Sequence, residues 1–189
     1  LLVLAAYLMG SIPTAYLIVG LVKGIDIRSE GTGNVGALNA FHQLGPGGGL
    51  LVLAVDAGKG ALAVLAPQWL GAPGWTRSLT APLVSAGHEW THGLGFRGGK
   101  GAAVIFGLSL AVLPQLTLIT LAFVAAILVF YRNVVWATLA GFVALNALLV
   151  ITDQGTDQIA LCAALTLLVT GTYLVSIRKH IGHSVRGRQ

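Results

Sequence analysis

Seven apolar stretches constrain this chain to a fold built across a lipid bilayer. They cover residues 1–22, 48–70, 78–90, 101–113, 115–131, 134–152 and 158–177. A spanning helix takes about 20 predominantly apolar residues. The third and fourth stretches are shorter, and both adjoin glycine-rich runs, as expected where a polar cavity cuts into the bilayer. Hydrocarbon offers no water to backbone N–H and C=O groups, so each span must pair its own, and the predicted fold is all-α and polytopic. Pro114 separates the fourth stretch from the fifth and favours a tight turn there. Composition agrees: 56% of the 189 residues are hydrophobic and 9% charged, against about a quarter charged in a soluble domain. No linker, low-complexity segment or internal repeat interrupts the pattern, so residues 1–189 read as one compact domain.

Charge placement gives the predicted orientation. Lys23, Arg28, Arg97, Lys100, Arg132, Arg178, Lys179, Arg186 and Arg188 fall in loops on one side of a seven-span topology, and Arg77 falls on the other. The positive-inside rule then places the N-terminus outside and the C-terminus in the cytoplasm. The net charge of +5 points to anionic lipid and anionic substrates, with no nucleic acid partner. The one cysteine, Cys162, lies in an apolar run and excludes a disulfide framework. The first apolar run contains Gly10 and Pro13 and carries no basic leader, so it reads as a retained span.

Three glycine-rich polar runs share the basic side: Gly31-Thr32-Gly33-Asn34-Val35-Gly36-Ala37-Leu38-Asn39, Asp56-Ala57-Gly58-Lys59-Gly60, and Gly87-His88 through Arg97-Gly98-Gly99-Lys100-Gly101. Glycine lets backbone N–H groups turn into a concave pocket, and an adjacent Lys or Arg makes that pocket a phosphate site. Asp56 and Lys59, at i and i+3 inside the second span, share a helix face. A charge in hydrocarbon costs at least about 2.5 kcal/mol, so the pair must face the bundle interior or a wet cavity. It serves either as a self-neutralising lock or as support for the site.

Three motifs point elsewhere. Gly31-x-Gly33-x-x-Gly36 matches a dinucleotide-binding pattern, which requires a βαβ unit that does not fit between membrane helices. Gly98-Gly99-Lys100-Gly101 is similar to a P-loop, but Leu94 and Gly101 stand where a glycine and a Ser/Thr belong. A lysine beside glycines at a helix start remains, and that is a good anion site. His88-Glu89-Trp90-Thr91-His92 fits the H-E-x-x-H pattern of zinc proteases, giving an alternative as an intramembrane metalloprotease. Gly93 and Gly95 follow at once and can end the helix before His92 aligns with His88. Glycine-broken short helices also suit an anion carrier, but the two matching halves expected there are missing.

Taken together, Gly10-Ser11-Ile12-Pro13, Gly24-Ile25-Asp26-Ile27-Arg28, the 31–39 run, Asp56-x-x-Lys59-Gly60, Gly87-His88 and Phe96-Arg97-Gly98-Gly99-Lys100-Gly101 resemble, in order and spacing, the bacterial acyl-phosphate-dependent glycerol-3-phosphate acyltransferases, the PlsY family. The resemblance covers essentially the whole chain. It implies a seven-helix enzyme of the bacterial cytoplasmic membrane with its active site at the cytoplasmic face. The implied reaction moves a fatty acyl group from acyl phosphate to the 1-hydroxyl of glycerol 3-phosphate, giving lysophosphatidic acid without an acyl-enzyme, a cofactor or a metal. On this basis Lys100, Arg97 and the Gly98 and Gly99 amides are expected to hold one phosphate. Thr32, Gly33, Asn34 and Asn39 would hold the other substrate. His88 and His180 would orient the hydroxyl or carry its proton, with Lys59 and Asp56 in support. The sequence departs from the family pattern at Thr32, Leu38, His42, Thr91 and His183, where the family has serine, threonine, arginine, proline and asparagine. Those replacements motivate a second alternative, a non-catalytic or substrate-shifted paralogue.

Overall fold

The structure, a computed structural model, describes the backbone of residues 1–186 and the side chains of residues 1–173. His180 and His183 therefore lie outside the described side chains. Eight α-helices make up the described chain, and no strand occurs among those residues. Four segments are long and apolar enough to cross a membrane: Leu2–Lys23, Ala37–Trp69, Pro114–Tyr131 and Val134–Ile151. Ala102–Val112 is a shorter apolar helix.

The first apolar run is two helices, α1 (Leu2–Gly10) and α2 (Thr14–Lys23). Pro13 has no N–H to continue the ladder and biases Ile12 away from helical backbone. The Ile12 carbonyl is left without a helical partner, and the Lys59 ammonium donates to it at 2.7 Å. Beyond α2, a 3₁₀ turn at Ile27–Ser29 is capped by the Asp26 side chain, which accepts from the Arg28 amide. The Arg28 guanidinium grips the same carboxylate and lies 5.2 Å from the Tyr16 ring centroid.

Helix α3 (Ala37–Trp69) is kinked at Gly45: a first segment from Ala37 lies outside the expected stretch, and the segment that resumes at Pro46 begins two residues before the expected boundary at residue 48. No helix was expected between residues 22 and 48. Gly45 alone leaves helical geometry, at φ 76° and ψ −172°, and Pro46 opens the resumed helix, a position that does not need its missing N–H. Asn39 consequently sits in the first turn of α3 and not in a loop. Helix α4 covers Gly74–Glu89, four residues earlier at its start than expected, and a 3₁₀ turn at His92–Leu94 follows it. Helices α5 (Ala102–Val112), α6 (Pro114–Tyr131) and α7 (Val134–Ile151) match their predicted stretches closely. Helix α8 (Thr156–Arg186) runs nine residues past the expected end at 177.

Two helix crossings are set by reciprocal glycines. A Cβ on Gly10 would strike the Val84 carbonyl, and one on Gly87 the Tyr7 carbonyl, so α1 and α4 touch backbone to backbone. Gly60 faces the Val104 carbonyl and Gly107 the Ala57 carbonyl in the same way between α3 and α5. Small residues permit this approach, which supplies the packing that lipid cannot drive by hydrophobicity. The main apolar core joins Val64, Ala81, Ile105, Leu108, Phe142, Leu165, Val169 and Tyr173. Cys162 is buried near Leu145 and Leu149. Leu118, Ile119, Phe123, Val129 and Phe130 of α6 stay exposed, a surface suited to lipid.

Candidate active site

The residues after α2 and those before α5 meet at the start of α3. Asn39 organises the first group. It is fully buried, its Nδ2 lies 3.0 Å from the carbonyls of Ile27, Glu30 and Asn34, and its Oδ1 accepts from the Thr32 amide. The Gly33 amide donates to the Glu30 carbonyl, and the Asn34 amide lies 3.4 Å from Thr32 Oγ1. The amides of Thr32, Gly33 and Asn34 are thus turned to internal partners, so the expected nest does not present them to a ligand in this conformation.

The second group closes the end of α4. The Gly98 amide donates to the Glu89 carbonyl at 2.9 Å and the Gly99 amide to the His88 carbonyl at 3.0 Å. Thr91 Oγ1 donates to the same end, near the carbonyls of Gly87 and His88. These bonds satisfy carbonyls that a helix C-terminus leaves bare. The expectation that the Gly98 and Gly99 amides face a phosphate is therefore corrected: they cap a helix. Gly99 also has no room for a side chain, since a Cβ would collide with His88 Nε2 and the Val35 carbonyl. It brings the second loop into close contact with the first at Val35.

A cavity of about 440 Å³ opens beside this junction. Thr32, Asn34, Asp56, His88 and Lys100 line its polar end, and Phe106, Leu121, Val124, Phe142 and Leu145 line an apolar limb between α5, α6 and α7. A polar end continuous with an apolar limb matches an amphiphilic ligand. Lys100 is half-buried in this lining, with Nζ 4.3 Å from the Tyr173 ring centroid. Burial pushes its ammonium pKa below the ordinary lysine value, because desolvation disfavours the charged form.

Deeper in, Asp56 Oδ1 accepts from Thr14 Oγ1 and from Lys59 Nζ, each at 2.7 Å, and His88 Nδ1 stands 3.9 Å away. Asp56 Oδ2 and both carboxyl oxygens of Glu89 have no hydrogen-bond partner among the described residues. Of the sequence-predicted residues, Thr32, Asn34, His88 and Lys100 reach the cavity. Gly33, Asn39, Gly98 and Gly99 shape its walls from behind. Lys59 is spent on the helix break, and Arg97 is exposed away from the lining. Tyr173 was missed by sequence reasoning, since it sits in an apolar run with no motif around it.

The zinc-protease motif is not assembled. Helix α4 ends at Glu89, so His92 is carried on a separate turn, exposed and edge-on to Phe96 at 5.6 Å. His88 is buried between Asp56 and Gly99. Among the described residues no three His, Cys, Asp or Glu side chains gather as metal ligands.

The profile of the glycerol-3-phosphate acyltransferase family matches residues 1–187. A glycerol-3-phosphate acyltransferase of Synechococcus sp. is 38% identical over 184 residues, covering 97% of this chain and 92% of that protein. Glycerol-3-phosphate acyltransferase 2 of Dehalococcoides mccartyi is 45% identical over 112 residues, 59% of this chain and 53% of the relative, so this match spans about half that protein's length. Among solved structures, the glycerol 3-phosphate form of PlsY (YgiH), an integral membrane glycerol 3-phosphate acyltransferase, gives a TM-score of 0.85 at 30% identity, covering 100% of this chain and 92% of that one. Its lysophosphatidic acid form gives 0.82 at 29% identity with the same coverage.

Proposed function

Because this chain belongs to the glycerol-3-phosphate acyltransferase family, we propose that it transfers a fatty acyl group from acyl phosphate to the 1-hydroxyl of glycerol 3-phosphate. The products are lysophosphatidic acid and inorganic phosphate, the first step of assembling a phospholipid. The observation that carries this reading is Lys100, a half-buried cation lining the same cavity as Thr32, Asn34 and His88 and as the apolar side chains Phe106, Leu121, Val124 and Phe142. An ammonium there pairs with the phosphate of an acyl phosphate while the acyl chain lies along Phe106, Leu121, Val124 and Phe142. In a site shielded from water, that pairing is worth more than on a wet surface.

Acyl phosphate is an activated mixed anhydride, so the protein's task is to position two anions and stabilise developing charge. The 1-hydroxyl oxygen bonds to the acyl carbon, and the bond from that carbon to the phosphate oxygen breaks. Phosphate departs with the electron pair beside Lys100. The hydroxyl proton passes to His88 or to the departing phosphate. Thr32 and Asn34 receive glycerol 3-phosphate, while Asn39, Gly33, Gly98 and Gly99 hold the two loops in register. His180 on α8 is the second candidate for orienting the hydroxyl, and Arg97 supplies a positive approach to the mouth.

We also propose seven membrane passes, with the N-terminus outside, the C-terminus in the cytoplasm and the cavity mouth facing the cytoplasm of a bacterial cell. Nine basic residues in the loops and helix ends of one side of the seven-span topology, against one on the other, support this orientation. The test is a purified-protein assay with acyl phosphate and glycerol 3-phosphate, with other polyol phosphates as competing acceptors. Lysophosphatidic acid and phosphate formed one to one support the assignment, and no transfer to any acceptor overturns it.

A further inference from the structure

Tyr173 stands beside Lys100 and has no part in the reaction above. Its ring centroid lies 4.3 Å from Nζ, inside the roughly 6 Å over which an aromatic face attracts a cation. The ring is 8% exposed and packs in the main core with Leu165, Val169 and Phe142. Lys100, by contrast, extends from a glycine-flanked loop on a flexible four-carbon stem. Both residues line the same cavity. Among the described residues, no carboxylate stands within ion-pair distance of Nζ.

An ammonium meant for a phosphate has to be held without being neutralised. A carboxylate would hold it but would cancel its charge and compete with the substrate. An aromatic face attracts the cation through its quadrupole, stays neutral, and leaves the N–H groups on the far side free to donate. We propose that Tyr173 is the positioning residue for Lys100, its ring face anchoring the ammonium in the cavity wall so that the N–H groups point at the substrate phosphate. This rests on the reading of Lys100 as a phosphate clamp. The ring carries the effect and the phenolic hydroxyl does not.

The experiment is steady-state kinetics of the full chain in detergent, comparing the native protein with Tyr173→Phe, Tyr173→Leu and Tyr173→Met from neutral to alkaline pH. Tyr173→Leu and Tyr173→Met are expected to raise KM for acyl phosphate roughly tenfold, with a smaller change in kcat. Losing the ring also removes a contact that favours the protonated amine, so the alkaline limb of the profile moves to lower pH in both. Tyr173→Phe is expected to restore the native KM and profile. A Phe variant as impaired as Leu, or Leu and Met variants whose alkaline limb stays in place, overturns the proposal. Where one apolar variant fails to fold, the other decides. An active native protein with unchanged ring-less variants sinks this inference alone, whereas an inactive native protein sinks the functional reading and this inference with it.

Discussion

Lys59 donates to the carbonyl of Ile12, 2.7 Å away and 47 positions earlier in the chain, at the point where Pro13 breaks the first helix. The same ammonium bonds Thr14 and Asp56, so one buried cation ties together a carbonyl at the helix break, a hydroxyl and a carboxylate. Lys59→Met would leave Asp56 charged, buried and unpaired. That variant should lose about 3–5 kcal/mol, while Asp56→Leu combined with Lys59→Met should recover most of the loss. Thermal unfolding in detergent checks both. A single variant as stable as the native chain would remove the network from the fold's foundations.

The crossing of α3 and α5 yields a second prediction. A Cβ on Gly107 would overlap the Ala57 carbonyl, whereas Gly58, one residue further along α3, has open space around it. Gly107→Ala should destabilise by about 1–3 kcal/mol by forcing the helices apart. Gly58→Ala should be neutral or stabilising by up to about 1 kcal/mol through helix propensity. Equal effects at the two sites, read in the same unfolding assay, would contradict backbone-to-backbone packing.

How far the sequence reached depends on which force sets each feature. Apolar length located α6 and α7 almost to the residue, because the span of the bilayer sets their length. It missed the first segment of α3, residues 37–44, which precedes the apolar stretch. A single φ of 76° at Gly45 lets the helix resume, and only tertiary packing decides that. The clustering of Thr32, Asn34, His88 and Lys100 was legible from glycine-rich runs on one side of the topology. The duties of the glycine amides were not, since an amide that caps a helix and one that binds phosphate have the same sequence. Tyr173 was invisible because its role comes from the Lys100 side chain 73 positions earlier.

The turn after α2 should be sensitive to acid. The Arg28 side chain hydrogen-bonded to Asp26 holds that carboxyl below its ordinary value of 3.8. A depressed carboxylate contributes stability that is fully present above its unfolded pKa and is lost as pH falls through the folded value. Limited proteolysis should cut near residues 24–36 more readily as pH falls below about 4. Asp26→Asn should be equally susceptible above that range. A cleavage profile flat in pH for the native chain would contradict the clasp.

Lys100 gives the opposite dependence. Burial lowers its pKa, and only the protonated amine pairs with phosphate. The KM for acyl phosphate should therefore rise as pH climbs toward that lowered value. Lys100→Arg should keep its charge throughout, because a guanidinium does not deprotonate in this range. An identical alkaline limb in the arginine variant would assign the titration to another group.

The most direct measurement is lysophosphatidic acid formation by purified Lys100→Ala protein, with acyl phosphate and glycerol 3-phosphate supplied. A fall of about a hundredfold or more is expected, with an unfolding temperature in detergent close to that of the native chain. Near-native product formation by that variant would contradict the assignment of this lysine as the phosphate clamp.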